Sequence, residues 1–161
     1  MGNPWARLQI SAQGGLKMVQ KEVEKALNEA GIRSTRIREE ILSVLFERGF
    51  PVSHSDISGH ERLRDFDRVT LYRNLNLLLE RNVVHAVLGM DGSWRYCAHP
   101  ETVRGCPGGH AHFLCMSCGR MYCLYDQPIP YVEVPEGFDV KAKQLVVYGK
   151  CRECREKEGN G

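Results

Sequence analysis

The chain has 161 residues, 42% of them apolar and 26% charged, with a formal net charge of +2 and seven cysteines. That length suits one ordinary domain or two small ones with thin cores. Asn3, Pro4, Arg7, Gln9 and Gln13 break the first residues too often for a signal peptide or a membrane span, so the chain reads as cytoplasmic with no membrane partner. An odd number of cysteines also argues against a closed disulfide framework.

Residues 1–15 have no apolar periodicity and are expected as a disordered tail, with Met18 a second candidate start. From Leu16 the spacing turns helical: Leu16, Val19, Val23 and Leu27 recur every three or four residues until Gly31 stops the run. A second helix has Thr35 to supply an N-cap oxygen and Ile37, Ile41, Leu42, Val44 and Leu45 as its buried stripe, and it ends at Gly49 and Pro51. Ser53 and Ser55 open a short third helix over 56–63.

Asp67 caps a fourth helix over 68–81. Its Val69, Tyr72, Leu75 and Leu79 are assigned to the packing face, while Thr70, Arg73, Asn74 and Leu77 line another. The period then changes to two. Val84, Ala86 and Leu88 alternate with His85 and Val87, residues 89–92 turn, and 93–97 return as a second strand. Helices followed by a hairpin fit a winged helix-turn-helix whose fourth helix enters a DNA groove, or a plain helical bundle with a solvated polar face.

Residues 104–109 hold two adjacent glycines and a proline and read as a hinge. Short strands are expected beyond it at 112–115, 120–125, 138–140 and 145–148, the last apolar enough to be buried on both faces. Cys115-Met-Ser-Cys118 and Cys151-Arg-Glu-Cys154 are paired thiol turns, and in a reducing compartment four sulfurs at this spacing suit one tetrahedral zinc ion. Such a site carries a net charge of about −2, which cancels the formal excess, so bulk charge says little about a nucleic-acid partner. His110 and His112 alternate on a strand and so face the same way. His54, His60, His99 and Cys106 read as surface or hinge residues.

Four stretches together resemble the ferric uptake regulator family: Gly31-Ile-Arg-Ser-Thr-Arg-Ile-Arg-Glu-Glu-Ile-Leu, Val69-Thr-Leu-Tyr-Arg-Asn-Leu, His110-Ala-His-Phe-Leu-Cys-Met-Ser-Cys-Gly and Tyr148-Gly-Lys-Cys-Arg-Glu-Cys; cysteine at Cys97 with histidine at His85 makes the chain most similar to that family's zinc uptake regulator branch. The resemblance implies an α+β fold. A winged-helix DNA-binding domain at 16–100 and a hinge at 101–109 precede a small α/β dimerisation domain at 110–155 with a Cys₄ zinc site, and 156–161 form a tail. It also implies a homodimeric, metal-dependent repressor of zinc uptake genes, not an enzyme, with double-stranded operator DNA as partner and no small-molecule substrate beyond the metal ion. Thr70, Tyr72, Arg73 and Asn74 fall on its DNA-contacting helix.

The family's regulatory site draws on positions held here by His85, Cys97, His110, His112 and Cys123. Thiolate in place of the carboxylates of iron and peroxide sensors favours Zn²⁺. His85, Cys97, His110 and His112 are therefore the first ligand set, with Cys123 in reserve. The chain departs from the family pattern in having Pro51 where many iron sensors place a histidine, and Gly109, Ala111 and Lys143 where a third metal site would lie. Pro128, Pro130 and Pro135 leave the long helix usual at 126–137 short or missing. Two other functions fit part of the pattern: an iron- or peroxide-responsive member of the same family, and a structural zinc-ribbon module that binds protein.

Overall fold

The computed structural model describes residues 15–98 and 109–159. Residues 101–108 of the expected hinge, Cys106 among them, and His99 and Pro100 lie outside the described residues. Helices and strands follow in the order α1 (Gly15–Glu29), α2 (Arg36–Arg48), β1 (Val52–Ser53), α3 (His54–Ser58), α4 (Arg68–Glu80), β2 (His85–Leu88) and β3 (Trp94–Cys97). A second set comprises β4 (His110–Cys115), β5 (Met121–Pro128), β6 (Val146–Gly149) and α5 (Arg152–Gly159). The fold is α+β, a helical half carrying a hairpin followed by a smaller β-rich half.

The helical half is built on one large core. Val19, Val23 and Leu27 of α1 meet Ile41, Leu42 and Leu45 of α2 and Leu71, Leu75 and Leu78 of α4 there, all of them buried. Gly31 ends α1 in the left-handed region at φ 64°, and the Ile32 N–H closes back on the Leu27 carbonyl at 2.9 Å. Thr35 does occupy the N-cap of α2 with extended backbone, but its side chain makes no capping bond and its buried Oγ1 has no partner among the described residues. The cap at α3 is fuller. Ser53 Oγ accepts from the Asp56 N–H, and the Asp56 carboxylate accepts from the Ser53 N–H, a reciprocal capping box.

That third helix is shorter than expected. It stops at Ser58, with Gly59 as its C-cap, and 60–65 continue as turns that leave Ile57 and Leu63 fully buried. At α4 the Asp67 carboxylate accepts the Thr70 N–H at 2.9 Å. Hydrogen bonds from Thr70, its side chain first, hold the Asp67 carboxyl below its usual range. The charged cap is therefore present at neutral pH and is lost as pH falls through that lowered value.

The phase of α4 also departs from expectation. Leu71, Leu75 and Leu78 are its buried residues, whereas Val69 is 58% exposed and Tyr72 53%. Leu75 does pack as assigned, but at about 100° per residue Val69 and Tyr72 lie roughly 120° and 60° round the helix from it, on the open face with Arg73. Leu75→Ala is expected to cost about 2–5 kcal/mol in chemical denaturation, and Val69→Ala less than about 0.5 kcal/mol. Comparable losses for the two would restore the expected packing face.

The hairpin belongs to a three-stranded antiparallel sheet in the order β1-β3-β2, since Val52 and Ser53 add a short strand that alternation alone does not reveal. Its turn relies on Gly92 in the left-handed region at φ 73°, and is braced by a two-pronged ion pair between the Arg95 guanidinium and the Asp91 carboxylate at 2.9 and 3.0 Å.

The second sheet has the order β5-β4-β6, with β4 antiparallel to β5 and parallel to β6. Expected burial of 145–148 on both faces is not found. Leu145, Val147 and Tyr148 are 38, 45 and 39% exposed, because β6 is an edge strand with no helix laid over it. The expected strand at 138–140 is absent too, and 129–145 contain neither helix nor strand. That agrees with the proline-broken helix expected around 126–137. Sequence periodicity gives no sign of α5, a helix with no buried residue that runs over the region expected as a tail.

Candidate functional site

Two buried cross-strand pairs face one another where the two sheets meet. In the hairpin His85 lies opposite Cys97, and in the second sheet His112 lies opposite Cys123. Directly opposed residues of an antiparallel pair project to the same face, so each pair presents one imidazole and one thiol to the other sheet. Like meets like across the gap: His85 Nε2 is 3.2 Å from His112 Nε2, and Cys97 Sγ is 3.6 Å from Cys123 Sγ. His110 joins from two residues before His112, its ring centroid 4.6 Å from the His112 ring and 5.3 Å from that of His85.

Ligand atoms of His85, His110, His112 and Cys123 all lie within 4.8 Å of one another. Cys97, fully buried, stands directly beside that group through Cys123. The structure thus brings all five residues singled out by sequence into one cluster, with Cys123 rather than Cys97 inside the tight set of four. Burial lowers the pKa of His112 below the usual imidazole value. The Cys123 thiol is drawn well below the ordinary range, first by its hydrogen bond from Cys97 and then by the three histidines, against the opposing effect of burial. Neutral imidazole and thiolate are the protonation states in which these groups bind a metal.

Cys115, Cys118, Cys151 and Cys154 form a second cluster, again with ligand atoms within 4.8 Å. The first turn is shaped by Gly119 at φ 71°, whose N–H bonds the Cys115 carbonyl at 2.9 Å, while the Cys115 N–H reaches the Arg120 carbonyl at 2.9 Å. The Cys151 N–H donates to Cys115 Sγ at 3.3 Å. Burial raises the Cys115 thiol pKa, but backbone N–H groups of Cys151, Cys118 and Ser117 outweigh it and bring the value to about 6. Cys154 is pushed up to about 12, chiefly by its neighbour Cys151, the pattern of four thiols sharing too few protons.

The residues expected to touch DNA divide into two groups. Tyr72 and Arg73 are exposed on α4, beside exposed Val69. Thr70 and Asn74 are half-buried, and Asn74 is engaged: its Oδ1 accepts from Arg38 Nε at 2.9 Å and its Nδ2 donates to the Thr70 carbonyl at 2.8 Å. Tyr72 and Val69 line an open groove of about 540 Å³ with Arg68 and the hairpin residue Trp94. Sequence reasoning passed over Trp94, which is 52% exposed at the start of β3. The one signal in the sequence was a tryptophan in a strand expected to form the hairpin, and its place beside α4 shows only in the structure.

Residues 29–148 match the model of the ferric uptake regulator family. The chain is 28% identical over 146 residues to the peroxide operon regulator of Bacillus subtilis, covering 87% of this chain and 96% of that protein. It is 29% identical over 143 residues to the ferric uptake regulation protein of the same organism, covering 84% and 94% respectively. Among solved structures, a zinc uptake regulator complexed with zinc and DNA has a similar fold, with a TM-score of 0.66 at 22% identity over 90% of this chain and 98% of that one.

Proposed function

Because the chain belongs to the ferric uptake regulator family of metal-responsive transcriptional regulators, we propose that it is a repressor that senses Zn²⁺ and binds operator DNA as a homodimer. One observation carries the choice of metal: the buried cluster between the sheets offers three imidazoles and two neighbouring thiols, and no carboxylate joins it among the described residues. Iron and manganese suit oxygen-rich sites, whereas thiolate with imidazole in a four-coordinate site favours zinc.

In this reading His85, His110, His112 and Cys123 hold the regulatory ion, with Cys97 hydrogen-bonded to the thiolate and able to exchange with it. Cys115, Cys118, Cys151 and Cys154 hold a structural zinc. A regulatory ion supplies a cross-link between the hairpin, through His85, and the second sheet, through His110, His112 and Cys123. The chain's own residues do the rest. Tyr72 and Arg73 face the duplex from α4, with Trp94 beside them on the hairpin. The exposed apolar residues Tyr131, Phe138, Val147 and Tyr148 fit a second copy of the chain, since so much uncovered apolar surface is unusual on a monomer. Fixing the hairpin then fixes the spacing of the two reading helices across the dimer.

Metal analysis of the purified protein, joined to gel-shift titration on DNA selected from a random pool, tests the reading. Two zinc ions per chain are expected, one removed by mild chelation together with DNA binding and both restored by Zn²⁺. Restoration by Fe²⁺ or Mn²⁺ in preference to Zn²⁺, or loss of binding with histidine oxidation on peroxide treatment, would overturn it in favour of an iron or peroxide sensor, the activities named for the two Bacillus relatives.

A further inference from the structure

We infer that Gln144 is a positioning residue: its carboxamide closes the free edge of the hairpin and holds the DNA-reading half against the second sheet without any metal. β2 is an edge strand, paired on one side only. At its end Leu88 turns its main-chain groups outward, and Gln144 satisfies both. Leu88 N–H donates to Gln144 Oε1 at 3.1 Å, and Gln144 Nε2 donates to the Leu88 carbonyl at 3.2 Å. A side-chain amide carries one acceptor and donors in the arrangement of a peptide group, so it continues the sheet ladder as a further strand would.

Both ends of this clasp are anchored. On the hairpin side Val87, next to Leu88, is buried against Leu114, Met121 and Val146 of the second sheet. On the other side Leu145, next to Gln144, accepts the N–H of His112 at 2.9 Å, which ties the clasp to the strand that carries the metal-facing histidines. Gln144 belongs to neither the cysteine nor the histidine cluster, so it can be changed without removing a ligand.

The clasp and the regulatory metal therefore stabilise the same closed arrangement. The inference deepens the proposed function and rests on it for the DNA readout alone. In a closed–open equilibrium, a ligand that already drives the protein closed masks a weakened clasp, and the loss shows fully when the ligand is removed. Two hydrogen bonds of this kind contribute about a fivefold to tenfold bias toward the closed state.

The test is Gln144→Ala in the full chain, with three readouts. Operator affinity of the zinc-saturated variant is expected within about twofold of the original, while in the chelator-treated protein it falls about fivefold. By linkage the apparent zinc affinity of the removable site falls by a similar factor. Hydrogen exchange of the Leu88 amide in the chelator-treated protein speeds up by at least about fivefold. Gln144→Glu keeps the acceptor but loses the donor to the Leu88 carbonyl, and is expected to behave like the alanine variant. An equal loss of operator affinity with and without zinc marks a general folding defect and overturns the inference. Unchanged Leu88 exchange overturns it as well, even if neither protein binds DNA, in which case the proposed function has failed separately.

Discussion

Cys118→Ser is expected to remove one zinc ion per chain and to abolish cooperative folding of the second sheet. The position makes this a clean test, because Cys118 is exposed and serine there loses no packing. What it loses is one thiolate of the cluster formed with Cys115, Cys151 and Cys154. The sheet has little else to stand on. Its apolar cluster comprises buried Leu114 and Met121 with Val146 half-buried, plus Val87 lent by the hairpin, and α5 buries nothing.

A structural zinc site supplies apparent binding free energy of about 10–16 kcal/mol, as much as the whole net stability of an ordinary domain. Even partial loss exceeds what so thin a core holds in reserve. The helical half, with its own large core, should keep its melting transition. Metal content, titration of newly reactive thiols and amide dispersion of the second sheet measure the effect. A variant that retains its zinc and its sheet would show that three thiols suffice, or that the cluster is not a metal site.

Helices were legible where one buried face repeats at helical spacing. In α1 and α2 the apolar residues at positions 19, 23, 27, 37, 41 and 45 are the ones the core buries, and Gly31 and Gly49 end the helices in the left-handed conformation that glycine adopts freely. In α4 apolar residues occupy more than one face. Leu71, Leu75 and Leu78 compete with Val69 and Tyr72, and only the packing of the folded helix decides among them, with Leu79 packing in part as assigned. An open face that carries valine and tyrosine is invisible to a rule that sends apolar residues inward.

The same ambiguity explains β6. Leu145, Val146, Val147 and Tyr148 have the composition of a doubly covered strand, yet the strand lies at an edge, and most of these side chains stay exposed among the described residues. The cysteine and histidine clusters were legible for a different reason. Cysteine and histidine are scarce, so paired spacing is informative, and register did the rest by setting Cys123 opposite His112. Spacing along one chain does not rank Cys97 against Cys123, because the answer depends on how two sheets approach each other.

That ranking can be measured. Cys123→Ser is expected to lower zinc affinity of the removable site by at least about 100-fold, and Cys97→Ser by about 10-fold, the range for a group that supports a ligand. Only Cys123 lies with the three histidines inside the 4.8 Å set, whereas Cys97 reaches that set through its sulfur contact with Cys123 at 3.6 Å. Cys97→Ala, which removes the donor that serine keeps, also removes the largest influence holding Cys123 as a thiolate, so its effect should exceed that of Cys97→Ser and grow as pH falls, when the proton is harder to displace. Operator binding should follow metal occupancy. At zinc concentrations that saturate the original protein, Cys123→Ser is expected to bind DNA about 5- to 150-fold more weakly, the usual span of coupling between two sites, and Cys97→Ser to recover with added zinc. Both variants should retain the zinc of the four-cysteine cluster, which chelator competition reads separately from gel shift. A larger loss for Cys97→Ser would put Cys97 in the ligand set and Cys123 beside it. Unchanged operator affinity in both variants would detach the buried cluster from DNA binding altogether.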